Sequence, residues 1–248
     1  CERLTCSPSG VARDDDPPRR SHGGTKSMGR GRTGLIIAAL TAVVIGIGLL
    51  VAGGRLDGVD TAVGRPLVWT GDGPHITTLQ VLTAPGAENV RIPLLMTITG
   101  LLLWQRLVAL AAFTAAAALA VAPLTRAIKD LVERPRPSYP GATVTAVDWS
   151  WPSGHASGAA VLAGVLLVLL PRYTRRRRAL AVTLVLGAVS VAWTRLALGV
   201  HSLSDVLAGL ALGTSVVLLT GLILRAPLRT RTGTTSAEAR RRSPAADR

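Results

Sequence analysis

Cysteine is nearly missing from this chain: of 248 residues only Cys1 and Cys6 carry thiols, and both lie in a polar N-terminal stretch. That excludes a disulfide framework and a cysteine-based metal site. Aromatic residues are also scarce, at 3% with a single Phe and two Tyr. Acidic residues number 14 against 28 basic ones. Asp130, Glu133 and Asp148 fall close together in the chain, but their spacing matches no metal-binding pattern. No internal repeat is visible. The resulting charge of +14 does not point to nucleic acid, because the basic residues flank apolar runs instead of forming a soluble basic domain.

What the chain does have is apolar length. Hydrophobic residues make up 48%, mostly Ala, Leu and Val, and there are 26 Gly. Mean hydropathy is +0.40. A soluble core does not need uninterrupted apolar runs of roughly 18 or more residues, whereas a bilayer span does. The expected fold is all-α: a polytopic bundle of six transmembrane helices over 33–52, 90–104, 107–128, 155–170, 179–198 and 203–224. The abundance of small residues suits close helix approach. Residues 53–87, polar and carrying Arg55, Asp57, Asp60 and Asp72, suit an external loop, and Gln105-Arg106 suits a tight turn.

By this reading 1–32 form a disordered basic segment and 33–106 hold two spans with the external loop. Residues 107–225 form a core of four spans, and 226–248 a disordered basic tail. Residues before Met28 are expected to be an upstream extension or a flexible tail. Six spans place both termini on one side. That side collects Lys26, Arg30, Arg32, Arg106, Arg172, Arg175 to Arg178 and the tail arginines. By the excess of Lys and Arg in short flanking segments it should face the cytoplasm of a plasma membrane. The Ala, Arg and Gly bias suggests a bacterium with a high-GC genome.

Three clusters then fall on the opposite, extracytoplasmic side. The first is Lys129 with Arg136-Pro137. Lys129 stands where the third span ends, and Pro135 and Pro137 forbid further helix. Arg binds phosphate oxygens as a fork and Lys as a point charge. The second is Pro152-Ser153-Gly154-His155, which directly precedes an apolar run. Ser153 is a good N-cap and Gly154 permits close backbone approach, at a helix end whose N–H groups attract anions. The third is Arg195, His201 and Asp205. A carboxylate four residues from a histidine shares its helix face; bonded to one ring nitrogen, it leaves the other free as base or nucleophile. Gly199 is placed to break the fifth helix. Each cluster alone has an ordinary structural explanation, such as a cap or a snorkelling cation. Together they hold what a phosphate-ester hydrolase at a membrane surface requires.

At these residues the chain resembles the type 2 phosphatidic acid phosphatase superfamily, which includes the vanadium haloperoxidases and glucose-6-phosphatase. The shared pattern is Lys129, six residues, Arg136-Pro137; then Pro152 to His155; then Arg195, five residues, His201, three residues, Asp205. It covers about 107–224 and departs from the family at Thr194, where the family has Ser. The resemblance implies that His201 attacks phosphorus to form a phosphohistidine. It also implies that Asp205 orients His201 and that His155 protonates the leaving oxygen and later activates water. Lys129, Arg136, Arg195, Ser153 and Gly154 would bind the phosphate. It implies a lipid phosphate substrate, the bilayer as partner, and neither metal nor cofactor. Trp149 and Trp151 are expected at the outer interface. Undecaprenyl diphosphate is the expected substrate, since bacteria recycle it at the outer face; phosphatidylglycerol phosphate and phosphatidic acid are alternatives. A vanadate-dependent haloperoxidase, a lipid phosphotransferase and a non-catalytic lipid-binding protein are the other readings. Oligomeric state is not legible in the sequence.

Overall fold

Among the described residues, eight α-helices account for the regular structure, apart from one 3-10 turn. The structure, a computed structural model, describes residues 29–170 and 176–231, with side chains up to 224. The expectations for 1–28, for the basic turn at 171–175 and for 232–248 lie outside the described residues. In chain order the helices are α1 (Arg30–Ala52), α2 (Asp57–Leu67), α3 (Pro74–Thr83), α4 (Glu88–Trp104), α5 (Val108–Val132), α6 (Gly154–Leu169), α7 (Arg177–Ala197) and α8 (Leu203–Arg231). The 3-10 turn Ala84–Gly86 lies between α3 and α4, and among the described residues there is no strand.

Among the described residues, four helices are long and apolar enough to cross a membrane: α1, α5, α7 and the Leu203–Leu224 part of α8. The two other expected spans are helical but shorter, with 17 residues in α4 and 16 in α6. Sixteen residues rise ~24 Å, less than a hydrocarbon core of ~30 Å. Residues 53–87, read as an external loop, instead contain α2, α3 and the 3-10 turn. Asp57 and Asp60 in the first turn favour the start of α2, and Pro74 opens α3 where its missing N–H costs nothing.

Helix ends follow local chemistry. Gly199 (φ +70°) turns the chain just past α7, as expected. Arg106 (φ +60°) makes the expected tight turn after α4. Glu133 (φ +48°) closes α5, and its N–H bonds the Lys129 carbonyl at 2.8 Å.

Helix α6 is the centre of the bundle and packs on α5, α7, α8 and the 3-10 turn, while α1 lies along α8 and α4 along α5. The α6–α8 contact is made by absent side chains. A Cβ on Gly213 would strike the Ser157 carbonyl, and one on Gly209 would lie 2.6 Å from the Ser153 carbonyl. Leu35, Leu49, Val182, Leu186 and Ile223 point outward, as lipid-facing positions do. Alternation of direction brings the C-terminal ends of α5 and α7 and the N-terminal ends of α6 and α8 to one end of the bundle. The C-terminal end of α1 joins them, since Val51 shares a core cluster with Ile128, Val132 and Trp151. Trp151 is therefore inside the bundle and not on a lipid-facing surface. It is 2% exposed and packed against Gly48 of α1, which has no side chain to hold it off. Trp149 is 39% exposed.

Candidate active site

All three sequence clusters meet at that end. Lys129 sits in the last turn of α5, 6% exposed. Its Nζ donates to Asp148 Oδ2 at 2.5 Å and to the Trp149 carbonyl. Arg136, on the loop after α5, donates through Nε to the Asp148 carbonyl at 2.9 Å and through Nη2 to Asp148 Oδ1. Its Nη1 bonds the Val200 carbonyl at 2.7 Å and lies 3.2 Å from His201 Nε2. Arg195 closes α7, 8% exposed, and its Nε is buried without a hydrogen-bond partner. It stands within electrostatic reach of Arg136 and Asp148. Lys129 and Arg136 thus hold one carboxylate between them, with the Arg195 charge within electrostatic reach. Partial burial works against ionisation of Asp148, but the Lys129 and Arg136 hydrogen bonds and charges outweigh it and hold its carboxyl at about 2. Such an excess of positive charge suits an anion with two negative charges.

The second cluster starts α6. Ser153 is fully buried as N-cap, and its Oγ accepts the Ala156 N–H at 3.4 Å. Its own N–H bonds the Asp205 carbonyl at 3.0 Å, which ties this loop to the third cluster. Gly154 opens the helix, where the first N–H groups have no intrahelical carbonyl. A Cβ there would meet only Thr125 Cγ2, at 3.9 Å. His155 follows, half-buried, close enough to Arg195, His201 and Arg136 for their charges to act on it.

The third cluster differs from expectation in one detail. His201 lies before α8, not on its first turn. Asp205 reaches back from the helix instead: its Oδ2 accepts the Ser202 N–H at 2.9 Å and lies 3.2 Å from His201 Nδ1. This is the reciprocal part of a capping box. An arginine can only donate, so its contact requires a lone pair on His201 Nε2 and puts the ring proton on Nδ1, facing Asp205. His201 is 2% exposed. Burial lowers its imidazole most; Asp205 opposes this and Arg136 and Arg195 add to it, for a net value of about 4. This favours the neutral ring near pH 7, with the Nε2 lone pair turned toward Arg136.

Two acids and one arginine escaped the sequence reading. Asp148, whose spacing fits no metal site, joins Lys129 to Arg136. Arg134, passed over because its spacing from Lys129 is wrong for the pattern, bonds Asp205, Ser204, Asp57 and Asp60. Asp60, expected on an external loop, lies in α2 and is 3% exposed. The repeated Arg-Pro at 134–137 was the one local signal that both arginines have tasks.

Comparison with known proteins gives the chain a family and relatives. The family model described as PAP2 superfamily matches residues 104–227. Phosphatidylglycerophosphatase B of Bacillus subtilis (strain 168) is 35% identical over 94 residues, which make up 36% of this chain and 46% of that protein. The match thus spans less than half of that relative. The crystal structure of a transmembrane PAP2 type phosphatidylglycerolphosphate phosphatase from Bacillus subtilis superposes with a TM-score of 0.64 at 24% identity. It covers 80% of this chain and 98% of that one.

Proposed function

The chain belongs to the PAP2 superfamily, and from that premise we propose that it is a membrane lipid phosphatase acting on phosphatidylglycerol phosphate. The observation that carries the reading is the His201 ring, held at Nδ1 by Asp205 and facing Arg136 at Nε2. In the proposed reaction Nε2 bonds to phosphorus as the bond to the ester oxygen breaks, and His155 supplies the proton that oxygen needs. Asp205 stabilises the imidazolium so formed. Water then attacks phosphorus, His155 takes its proton, the P–N bond breaks and inorganic phosphate leaves. Lys129, Arg136 and Arg195, with the start of α6 at Ser153 and Gly154, balance charge on the phosphoryl oxygens. In this scheme the required positive charge comes from side chains and not from a metal ion. The sequence likeness to a phosphatidylglycerophosphatase B favours phosphatidylglycerol phosphate over the undecaprenyl diphosphate expected from sequence. Six spans, cytoplasmic termini and an extracytoplasmic site complete the proposal, supported by the basic residues around the opposite ends of the helices.

Phosphate release by detergent-purified protein tests it, with phosphatidylglycerol phosphate, undecaprenyl diphosphate and phosphatidic acid compared in the presence of EDTA. Release is expected to be fastest from phosphatidylglycerol phosphate, inhibited by vanadate and lost in His201→Ala. Retained activity in His201→Ala would remove the nucleophile assignment, and strong inhibition by EDTA would point to a metal mechanism.

A further inference from the structure

Behind the site runs a second charge system that the family pattern does not contain. Asp60 of α2 accepts the Ser204 N–H on Oδ1 at 2.9 Å. On Oδ2 it accepts the Ser204 hydroxyl at 2.5 Å and Arg134 Nη2 at 2.8 Å. Arg134 Nη1 donates to Ser204 Oγ at 2.7 Å and to Asp205 Oδ1 at 2.6 Å. The other Asp205 oxygen serves His201 and the Ser202 N–H. The chain of contacts is Asp60, Arg134, Asp205, His201. Asp205 is fully buried and the Arg134 side chain is 10% exposed.

Charge accounting gives this arrangement a purpose. Arg134 alone would fix the Asp205 carboxylate but also neutralise it, weakening its hold on a developing imidazolium. Buried Asp60, together with the exposed Asp57 at 3.1 Å from Nη2, offsets Arg134, so the negative charge of Asp205 remains for His201. Burial lowers Arg134, but Asp205 and Asp60 outweigh it and raise it above its ordinary value, so the guanidinium stays charged.

We propose that Asp60 is a positioning residue for the reaction: through Arg134 and Ser204 it orients Asp205 and keeps that carboxylate's charge for His201. This rests on the phosphatase reading above. The first test is Asp60→Asn, which removes a charge at constant shape. Its kcat should fall on the order of tenfold or more with KM nearly unchanged, while Asp60→Glu should recover part of the loss. In the same Asp60→Asn protein, histidine NMR should show the His201 imidazole titrating at lower pH than in the unmodified protein. The groups facing His201 there are Asp205 of α8, Arg136 of the loop, Arg195 of α7 and His155 of α6, and all are retained. Ser204→Ala, a smaller change, should lower kcat severalfold at unchanged KM and decides the matter if Asp60→Asn does not fold. Unmodified kcat in folded Ser204→Ala, or an unmoved His201 titration in folded Asp60→Asn, overturns the proposal. Equal losses in Asp60→Asn and Asp60→Glu would also overturn it. The titration needs no substrate, so it stands apart from the phosphatase reading, which fails if the unmodified protein releases no phosphate.

Discussion

Two arginines separated by one proline do opposite electrostatic work. Arg134 is surrounded by Asp57, Asp60 and Asp205, whereas Arg136 shares the single carboxylate of Asp148 with Lys129 and Arg195 nearby. The first is more than offset by carboxylates without a ligand, and the second is not. On the proposed reading Asp148 occupies the place of phosphate oxygens, with its side chain 56% exposed. Asp148→Asn is expected to tighten inhibition by orthovanadate, on the order of tenfold from the loss of one competing charge; weaker inhibition would mean that Asp148 mainly holds the cations in place. His201 carries its own pH signature. Its folded value of about 4 lies below the ordinary 6.5, so the fold favours the neutral ring. That contribution to stability is whole above pH 6.5 and is lost as pH falls toward 4. NMR of the detergent-solubilised protein should find the ring neutral at pH 6, and a midpoint at 6.5 would contradict the burial argument. At this scale the sequence made Lys129, Arg136, Ser153, Gly154, His155, Arg195, His201 and Asp205 visible, because motif spacing is local. Asp60 was invisible: it meets Ser204 across 144 positions, and no local pattern encodes that pairing.

Helix positions were largely readable from apolar run length, and their partners were not. All six expected spans are helices, but 53–87 folds into short helices whose mixed polarity hides them. The identity of α6 as the central helix also had no sequence label beyond its small residues. Those residues matter: Gly209 and Gly213 bring α8 against Ser153, Ser157 and Ala160, the close approach that small residues permit in membranes. Gly213→Val is expected to cost about 1–3 kcal/mol through overpacking and to lower the melting temperature in detergent. Because Gly209, one turn away on α8, meets the Ser153 carbonyl, Gly209→Val should lower activity as well as stability. An unchanged melting temperature in Gly213→Val would mean the helices separate at little cost.

For the molecule as a whole, the direction of the helices and the distribution of charge support one orientation. The site gathers the ends of α5, α6, α7 and α8 on one face, and Arg106 with Arg176, Arg177 and Arg178 mark the other. With Cys1 and Cys6 replaced by Ser, Ala146→Cys on the exposed loop beside the site should react with an impermeant maleimide in intact cells. Arg178→Cys should react only after lysis; the reverse pattern would invert the topology. The central claim, however, is chemical, and rapid-quench labelling tests it most directly. Phosphatidylglycerol phosphate radiolabelled in its terminal phosphate should leave an acid-labile, alkali-stable label on the protein, mapped to the peptide containing His201 and absent from His201→Ala. Turnover that leaves no label at any quench time, or a label that persists in His201→Ala, would contradict a phosphohistidine at this site.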